Sequence, residues 1–246
     1  MLKNTLTEIN LRLKMLYDMI PECTKIGDVG TDHGFLPIYA VENDRCKYAI
    51  ASDLREGPLK IAKNNIKNSG LEDNIQTMLC PGLEGYIDKD CEVVVIAGMG
   101  GITLCSILDD WIKLCKSKNY FPGNILYILQ PNTHEHLVRQ FLWDNGFDIT
   151  CENSVRDGAH VYLGLKCTYD NIQKKDYTQA DCYMGKIMRK RMNDNDKVYY
   201  ENLLKKHNHI LSGLLHRKEP DKETTERINL SKMLIKELKD ILNLKV

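Results

Sequence analysis

The chain has 246 residues and a formal net charge of zero, and with 43% hydrophobic and 28% charged residues it has the composition of an ordinary globular protein. No apolar run approaches the roughly 18 residues of a membrane-spanning helix, and the first twenty residues are too polar for a signal peptide, so neither a membrane span nor export is expected. Nine scattered cysteines without a Cys-x-x-Cys pair indicate reduced thiols in a cytoplasmic protein, with no metal site.

Short apolar runs alternate with amphipathic stretches over the first 170 residues. The apolar runs predict strands at 25–30, 47–54, 74–79, 92–98 and 124–130, and the amphipathic stretches predict helices at 35–43, 58–69, 102–116 and 134–145. Apolar strands that alternate with helices are typical of βαβ units and a parallel sheet. Residues 147–167 indicate an antiparallel hairpin that turns at Arg156-Asp-Gly158. We therefore predict an α/β fold with a Rossmann-like sheet that ends in this hairpin.

The last third of the chain differs in charge and periodicity. Residues 1–170 contain 17 Lys and Arg against 23 Asp and Glu, a balance of −6, whereas residues 171–246 contain 17 against 11, a balance of +6. Apolar residues three and four apart on either side of Pro220 predict two helices packed as a coiled-coil hairpin. His207 lies on that apolar stripe and is expected to pack between the helices. We predict a cofactor domain at 1–170 and a basic hairpin at 171–246, which either faces an anionic partner or is a solvated, lysine-rich surface.

A glycine-rich loop, Asp28-Val-Gly-Thr-Asp-His-Gly34, follows the first strand and precedes a helix. Its glycines allow a sharp turn and let a cofactor approach backbone N–H groups at the helix start. A dinucleotide-binding loop would have glycine at the position of Asp32, where a carboxylate repels a pyrophosphate. S-adenosylmethionine (SAM) instead carries a sulfonium and an ammonium, which a carboxylate attracts. The loop therefore favours SAM over NAD.

Three more motifs follow strands and are expected at the same edge of the sheet. Asp53 can accept hydrogen bonds from the ribose hydroxyls of an adenosine cofactor, or it can cap a helix. Ala97-Gly-Met-Gly-Gly101 leaves room for a ligand at the switch point of the sheet, or it forms a tight packing turn. Gln130-Pro-Asn132 offers two carboxamides that suit the Watson–Crick edge of a base, or it is simply a turn.

Together, IGDVGTDHGFLP, Asp53, VVVIAGMGG, LQPNTH and the basic helical C-terminus resemble the TrmK-type bacterial tRNA methyltransferases, which methylate N1 of adenine 22 in tRNA. The resemblance covers nearly the whole chain and implies SAM as cofactor, tRNA as substrate and a monomer without a protein partner. One departure stands out. Relatives have Gly-Asp-Gly-Leu after the third strand, whereas this chain has Cys80-Pro-Gly-Leu83, so packing around Leu79–Leu83 replaces a contact to the adenine amino group of SAM.

The resemblance and the charge pattern assign residues to three groups. We expect the cofactor to bind at Asp28, Gly30, Thr31, His33, Asp53, Leu54, Cys80, Pro81, Gly82, Ala97, Gly98 and Met99. We expect Asp32, Gln130 and Asn132 at the reacting base, where the Asp32 carboxylate stabilises developing positive charge. We expect the tRNA phosphates to contact Lys186, Arg189, Lys190, Arg191, Lys205 and Lys206.

Three alternatives stay open. The first is a SAM-dependent methyltransferase that acts on another RNA position or on a small molecule. The second is a NAD-linked oxidoreductase, which Asp32 disfavours. The third is an RNA-binding protein with a vestigial cofactor fold, for which the departure at Pro81 leaves room.

Overall fold

The computed structural model describes residues 8–216 and 221–244. Within that part of the chain, seven strands form one sheet in the order β3-β2-β1-β4-β5-β7-β6. Their bounds are β1 Cys23–Val29, β2 Cys46–Asp53, β3 Ile75–Leu79, β4 Val93–Gly100, β5 Leu126–Thr133, β6 Phe147–Asp157 and β7 His160–Tyr169. Strands β1 to β5 are parallel, and β7 runs antiparallel to both β5 and β6. The predicted Rossmann-like α/β sheet with a terminal hairpin is confirmed.

Helices cover both faces of the sheet. Their bounds are α1 Leu11–Met19, α2 Phe35–Glu42, α3 Glu56–Asn68, α4 Gly101–Ser117, α5 Glu135–Asp144, α6 Gln179–Met184, α7 Met188–Arg191, α8 Asp194–Leu215 and α9 Lys222–Ile241. Strand β4 is buried on both faces. Val93 and Val95 pack with α1 and α2, whereas Val94 and Ile96 pack with α4 and α5. A strand buried on both faces needs apolar residues at every position.

The structure differs from the prediction in the hairpin of β6 and β7, and it shows the position of the first helix. The hairpin turns at residues 158–159, slightly later than expected, and β7 continues to Tyr169. The sequence does not predict the position of helix α1, which packs against this hairpin in the structure. A Cβ on Gly164 would lie 2.8 Å from Met19 Sδ, so glycine at this point of β7 lets α1 lie close to the sheet.

The residues after 170 fold back onto the sheet. Helices α8 and α9 pack against each other, and His207 Nδ1 lies 3.3 Å from Ser231 Oγ between them. The helical hairpin and the packing role of His207 are therefore confirmed, whereas the predicted break at Pro220 lies outside the described residues. Tyr200 and Leu234 of this tail share one apolar core with α5 and β6. The division at residue 170 stays a prediction, because the packing is continuous across it.

A buried ion pair joins the tail to the sheet. Arg139 Nε on α5 lies 2.6 Å from Glu152 Oε1 on β6, and neither side chain is exposed to solvent. Glu152 Oε2 also accepts hydrogen bonds from the backbone N–H groups of Ile187 (2.8 Å) and Met188 (3.1 Å) in the tail. Arg139 Nη1 donates to the carbonyl of Cys182 at 2.9 Å. Both charges are thus satisfied only when the tail is in place.

Replacement of Gly185 tests this junction. Gly185 has φ +74°, and a Cβ there would lie 2.4 Å from Glu152 Oε1. We expect Gly185→Ala to lower the free energy of unfolding by about 3 kcal/mol or more, the cost of breaking a buried ion pair. Urea titration followed by circular dichroism measures the loss.

Gly213→Ala is the matched control, because a Cβ at Gly213 on α8 meets no atom within 4 Å. We expect it to raise the free energy of unfolding by up to about 1 kcal/mol through helix propensity. Equal effects of the two substitutions would contradict the proposed tie between Glu152 and the tail.

Candidate active site

A cavity of about 530 Å³ lies at the carboxyl ends of β1, β2 and β4. The sheet order reverses between β1 and β4, and such switch points are where open α/β sheets bind ligands. The cavity is lined by these predicted residues: Asp28, Gly30, Asp32, His33, Asp53, Leu54, Cys80, Gly82, Ala97, Gly98 and Met99. Four separate motifs of the sequence therefore meet in one place.

Two residues of the predicted cofactor set do not line the cavity. Thr31 is buried under the loop, and its backbone N–H donates to the carbonyl of Ser52 at 2.8 Å, so it fixes the loop to β2. Pro81 is exposed, while its neighbours Cys80 and Gly82 face inward. The structure thus gives Thr31 a role in loop position and leaves Pro81 outside the pocket.

The loop between β1 and α2 turns through left-handed backbone conformations. Gly30 has φ +74° and Gly34 has φ +70°, values that glycine adopts without strain. A Cβ on Gly30 would also lie 2.9 Å from Met99 Cε at the end of β4. Glycine is therefore required here both for the turn and for the close approach of two strand ends that form the pocket.

Three carboxylates lie at different depths in the pocket. Asp28 is buried, and burial raises its pKa to about 6 while the nearby Arg12 guanidinium opposes the shift. Asp53 is also buried, and its Oδ1 accepts a hydrogen bond from the Arg55 backbone N–H at 2.8 Å. Asp32 lies at the mouth with 78% of its side chain exposed, 3.2 Å from His33 Nε2. A ligand with positive charge and hydroxyl donors complements this set, because buried carboxylates need such partners.

The glycines of Ala97–Gly101 serve two purposes. Gly98 has φ +79° and lines the cavity. Gly101 does not, and a Cβ there would lie 2.5 Å from the carbonyl oxygen of Thr133 on β5. Both alternatives for this motif therefore apply: Gly98 lies at the cavity, and Gly101 forms a tight packing turn.

Gln130 corrects one sequence-based assignment. Its side chain is wholly buried, and Oε1 accepts hydrogen bonds from Arg12 Nη1 (2.8 Å) and from the Gly98 N–H (3.2 Å). Its Nε2 donates to Asn132 Oδ1 at 3.0 Å. These contacts hold Gln130 below the surface, and it does not line the cavity, so the geometry favours a positioning role over the expected contact with the base.

Asn132 is the exposed member of this network. Its Nδ2 donates to the carbonyl of Gly98 at 2.7 Å, so the carboxamide is fixed at the rim of the pocket. The side chain keeps a second N–H and a second lone pair on Oδ1 for a ligand. The expected place of Asn132 beside the reacting base stays a prediction that this geometry favours.

Arg12 is the main residue that sequence reasoning missed. It reaches from α1 across the pocket to Gln130, and its guanidinium lies 5.8 Å from the centre of the Tyr162 ring. The contact joins residues 118 positions apart, and an arginine in an amphipathic helix gives no sign of such a partner. The other lining residues outside the predicted set are Asn10, Leu13, Val29, Phe35, Leu36, Arg55, Thr103 and Ile107.

Three of the six cations expected to bind RNA are occupied within the protein. Lys186 pairs with Asp176 at 2.9 Å, and Arg189 pairs with Asp181 at 2.9 Å.

Arg191 pairs with Asp196 at 2.7 Å and donates to the carbonyl of Glu152 at 2.6 Å. Lys190, Lys205 and Lys206 are exposed and make no ion pair within residues 8–216 and 221–244. Lys186, Arg189 and Arg191 thus meet carboxylates of the protein, whereas the three exposed lysines do not. Contact of these residues with RNA stays a prediction, which the geometry favours most for Lys190, Lys205 and Lys206.

Residues 8–216 and 221–244 contain neither a metal-ligand cluster nor a membrane-spanning helix. No three His, Cys, Asp or Glu side chains come together there as a metal site. No helix in those ranges is long and apolar enough to cross a bilayer.

The model of the methyltransferase domain family matches residues 9–165. The chain belongs to this family. It is 31% identical over 155 residues to the tRNA (adenine(22)-N(1))-methyltransferase of Bacillus subtilis, an alignment that covers 63% of each chain and thus less than two thirds of that relative.

Two solved structures match nearly the whole chain. M. capricolum TrmK in complex with S-adenosyl-homocysteine has a TM-score of 0.79 and 26% identity, over 95% of this chain and 99% of that one. A Streptococcus pneumoniae protein in complex with S-adenosyl-L-methionine has a TM-score of 0.77 and 28% identity, over 93% and 100% of the two chains. These likenesses confirm the resemblance to TrmK-type methyltransferases.

The raised pKa of Asp28 predicts a pH-dependent cost to folding. A pKa near 6 in the folded state, against 3.8 as the ordinary value, means that folding favours the protonated form. The stabilising contribution is therefore present below pH 4 and is lost as the pH rises through 6. We expect Asp28→Asn to raise the free energy of unfolding at pH 8 by about 3 kcal/mol, two pKa units at about 1.4 kcal/mol each.

Urea unfolding of both proteins at pH 4 and pH 8, without ligand, measures this effect. At pH 4 the Asp28 carboxyl is neutral when folded, so most of the difference should vanish. A difference of the same size at both pH values would show that the charge of Asp28 is not the cause.

Proposed function

We propose that the protein transfers a methyl group from SAM to N1 of adenine 22 in tRNA. The observation that carries this proposal is the position of the fixed Asn132 carboxamide at the rim of a cavity that contains the buried carboxylates of Asp28 and Asp53. The Bacillus subtilis relative is named for this activity, and the structures of two similar proteins are complexes with S-adenosyl-homocysteine and with SAM. Those likenesses support the assignment.

The residues of the cavity fit SAM. The Asp28 carboxylate would meet the ammonium, and the Asp53 carboxylate would accept hydrogen bonds from the ribose hydroxyls. Cys80, Gly82 and Ile107 line the cavity beside them and offer packing for the adenine, in place of the aspartate that relatives have after β3. Bound SAM supplies an electrophilic methyl group: the bond from carbon to N1 forms as the bond from carbon to sulfur breaks, and S-adenosylhomocysteine and a cationic base are left.

The protein has to position the base rather than activate it. N1 of adenine is a neutral lone-pair donor, so no residue needs to remove a proton before attack. Asn132 Oδ1, which already accepts from Gln130 Nε2, has a second lone pair for the N6–H of adenine. That contact would orient the base and leave N1 free, and correct placement accounts for a large part of such rate enhancements.

Asp32 supplies negative charge where the base becomes positive. Its side chain is 78% exposed at the pocket mouth, so water screens it in the free protein. An RNA that covers the mouth would exclude that water and strengthen the interaction. The Watson–Crick edge of an adenine in folded RNA is hindered, so the base must leave its stack to reach this position.

The exposed lysines of the tail favour an RNA over a small molecule as substrate. Lys190, Lys205 and Lys206 are available for phosphates, which position an RNA without reading its sequence. The monomeric state that the resemblance implies stays a prediction.

The direct experiment is to incubate an unmodified tRNA transcript with the protein and labelled SAM, and then to map the modified nucleotide. We expect one methyl group at adenine 22, detected as a stop to reverse transcription, and none on a transcript with guanine at that position. Methylation at another nucleotide, or of a small molecule only, would replace the proposal with one of the alternatives.

Substitutions of Asp53 and Asn132 should separate cofactor binding from turnover. We expect Asp53→Ala to weaken SAM binding about 10- to 100-fold, the value of hydrogen bonds to a charged group. We expect Asn132→Ala to lower kcat about 100-fold, as loss of an oriented polar contact does, with an unchanged Kd for SAM. Calorimetry and single-turnover assays measure the two quantities.

Asn124→Ala is the control, because Asn124 is exposed at the opposite end of β5. It should change neither quantity. Normal turnover by Asn132→Ala would remove Asn132 from the site.

The triple substitution of Lys190, Lys205 and Lys206 to alanine should weaken tRNA binding. Each phosphate contact contributes about −0.7 to −0.9 to the slope of log binding constant against log salt concentration. We therefore expect this slope to become less steep by about 2 in the triple variant. SAM affinity should be unchanged, because none of the three lysines lines the cavity.

A second triple variant, Lys113, Lys116 and Lys118 to alanine, removes the same charge from the end of α4 that points away from the pocket. It should keep the wild-type slope. If both variants lose the same slope, net charge rather than a tail contact explains the binding.

A further inference from the structure

Aromatic rings run from the pocket rim into the tail. His134 lies two residues after Asn132, and its ring centre is 6.2 Å from that of His136. The ring of His136 on α5 stacks on Tyr183 of α6, with centres 4.3 Å apart and an interplanar angle of 11°. Tyr183 meets the edge of His207 on α8 at 5.2 Å. We call His134, His136 and Tyr183 the aromatic row.

We propose that the aromatic row is a stacking site for an unpaired nucleobase of the RNA next to the target adenosine. The inference rests on the proposed function and specifies how the same site holds its substrate. The site already assigned handles the cofactor and the target base, whereas the row would hold a neighbouring nucleotide outside the cavity.

The accessibility of the rings supports this role. His134 is exposed and His136 and Tyr183 are half-buried, so the row begins at the surface and is backed by the tail. Bases stack on aromatic side chains in proteins that bind unpaired RNA, and stacking tolerates any base because each has a π-face.

The spacing of the first two rings also suits a base. A base between two rings needs about 7 Å, twice the rise of about 3.4 Å between stacked bases. The centres of the His134 and His136 rings are 6.2 Å apart and the rings are tilted by 38°, so they do not stack on each other, and a base would enter between them when the exposed His134 side chain turns. By contrast, the His136 and Tyr183 rings are closed on each other.

The charges around the row match an RNA backbone. Burial and then the nearby Lys206 lower the pKa of His136 to about 4, so this imidazole is neutral at physiological pH and offers an uncharged ring. Lys206 is exposed beside it on α8, and Arg227 on α9 lies near Tyr183. A neutral aromatic surface flanked by cations is typical of single-stranded nucleic acid sites. An apolar protein partner would not need the cations.

Fold stability does not explain why an aromatic ring stands at position 134. His134 precedes the first turn of α5, and its side chain is exposed with Nδ1 3.0 Å from its neighbour Thr133 Oγ1. His207, in contrast, is buried between α8 and α9 and has a packing role. The functional part of the row is therefore its exposed end.

Alanine and phenylalanine variants of His134 and His136 test the proposal with unmodified tRNA. We expect His134→Ala and His136→Ala to raise KM for tRNA by about 5- to 100-fold, the range of base-aromatic stacking. The Kd for SAM should stay constant, because neither residue lines the cavity. His134→Phe and His136→Phe should keep KM within about 3-fold of wild type, because a phenyl ring also stacks.

A fluorescence readout that does not depend on methylation accompanies the kinetics. A tRNA with 2-aminopurine on either side of adenine 22 should lose fluorescence on binding wild-type protein at one of the two positions. The loss should disappear with His136→Ala and return with His136→Phe. Thermal melts of every variant confirm that it is folded.

Tyr48→Ala is the control, because Tyr48 is 46% exposed near the amino end of β2, away from the pocket. It should behave as wild type. A wild-type KM for both alanine variants would overturn the stacking site, and so would equal losses with alanine and phenylalanine, which would indicate a polar contact. If wild-type protein fails to methylate tRNA, the proposed function fails, while the 2-aminopurine signal still reports on stacking.

Discussion

The structure depends on the buried ion pair between Arg139 and Glu152. It joins α5, β6 and the chain after residue 185, and neither charged side chain is exposed to solvent. An uncompensated buried charge costs several kcal/mol, so the tail either docks completely or leaves both groups unsatisfied. Helix α5 also begins directly after the strand that carries Asn132. The same interaction therefore fixes the exposed lysines of the tail relative to the pocket rim.

A second constraint works from the other face of the sheet. Arg12 on α1 holds the buried carboxamide of Gln130, which in turn holds Asn132. The three side chains form a chain of hydrogen bonds from one helix layer to the rim of the pocket. Each hydrogen bond satisfies a donor or acceptor that would otherwise be unpaired. The site thus has rigid support from both layers: Arg139 and Glu152 on one face, Arg12 on the other.

Features that depend on local sequence patterns could be predicted from the sequence. Doubly buried strands appear as continuous apolar runs, and the loop at Asp28–Gly34 has glycines where left-handed backbone is required, so the sheet and most pocket residues could be predicted. Contacts between distant charged residues could not. Arg139 and Glu152 look like surface residues in the sequence, and Arg191 looks like a free cation although Asp196 neutralises it. Charge in a sequence shows how many ions a segment has but not which partner each one meets.

The burial of Asp28 has a consequence for the lifetime of the protein. Burial raises the pKa of the Asp28 carboxyl to about 6, so its charged form weakens the fold at neutral pH unless a positive partner meets it. A cationic ligand relieves this and stabilises the fold by mass action, in proportion to the logarithm of its concentration over Kd. Protein molecules with bound ligand would then resist unfolding and proteolysis for longer than those without it. The folded population of the protein would therefore rise with the concentration of that ligand.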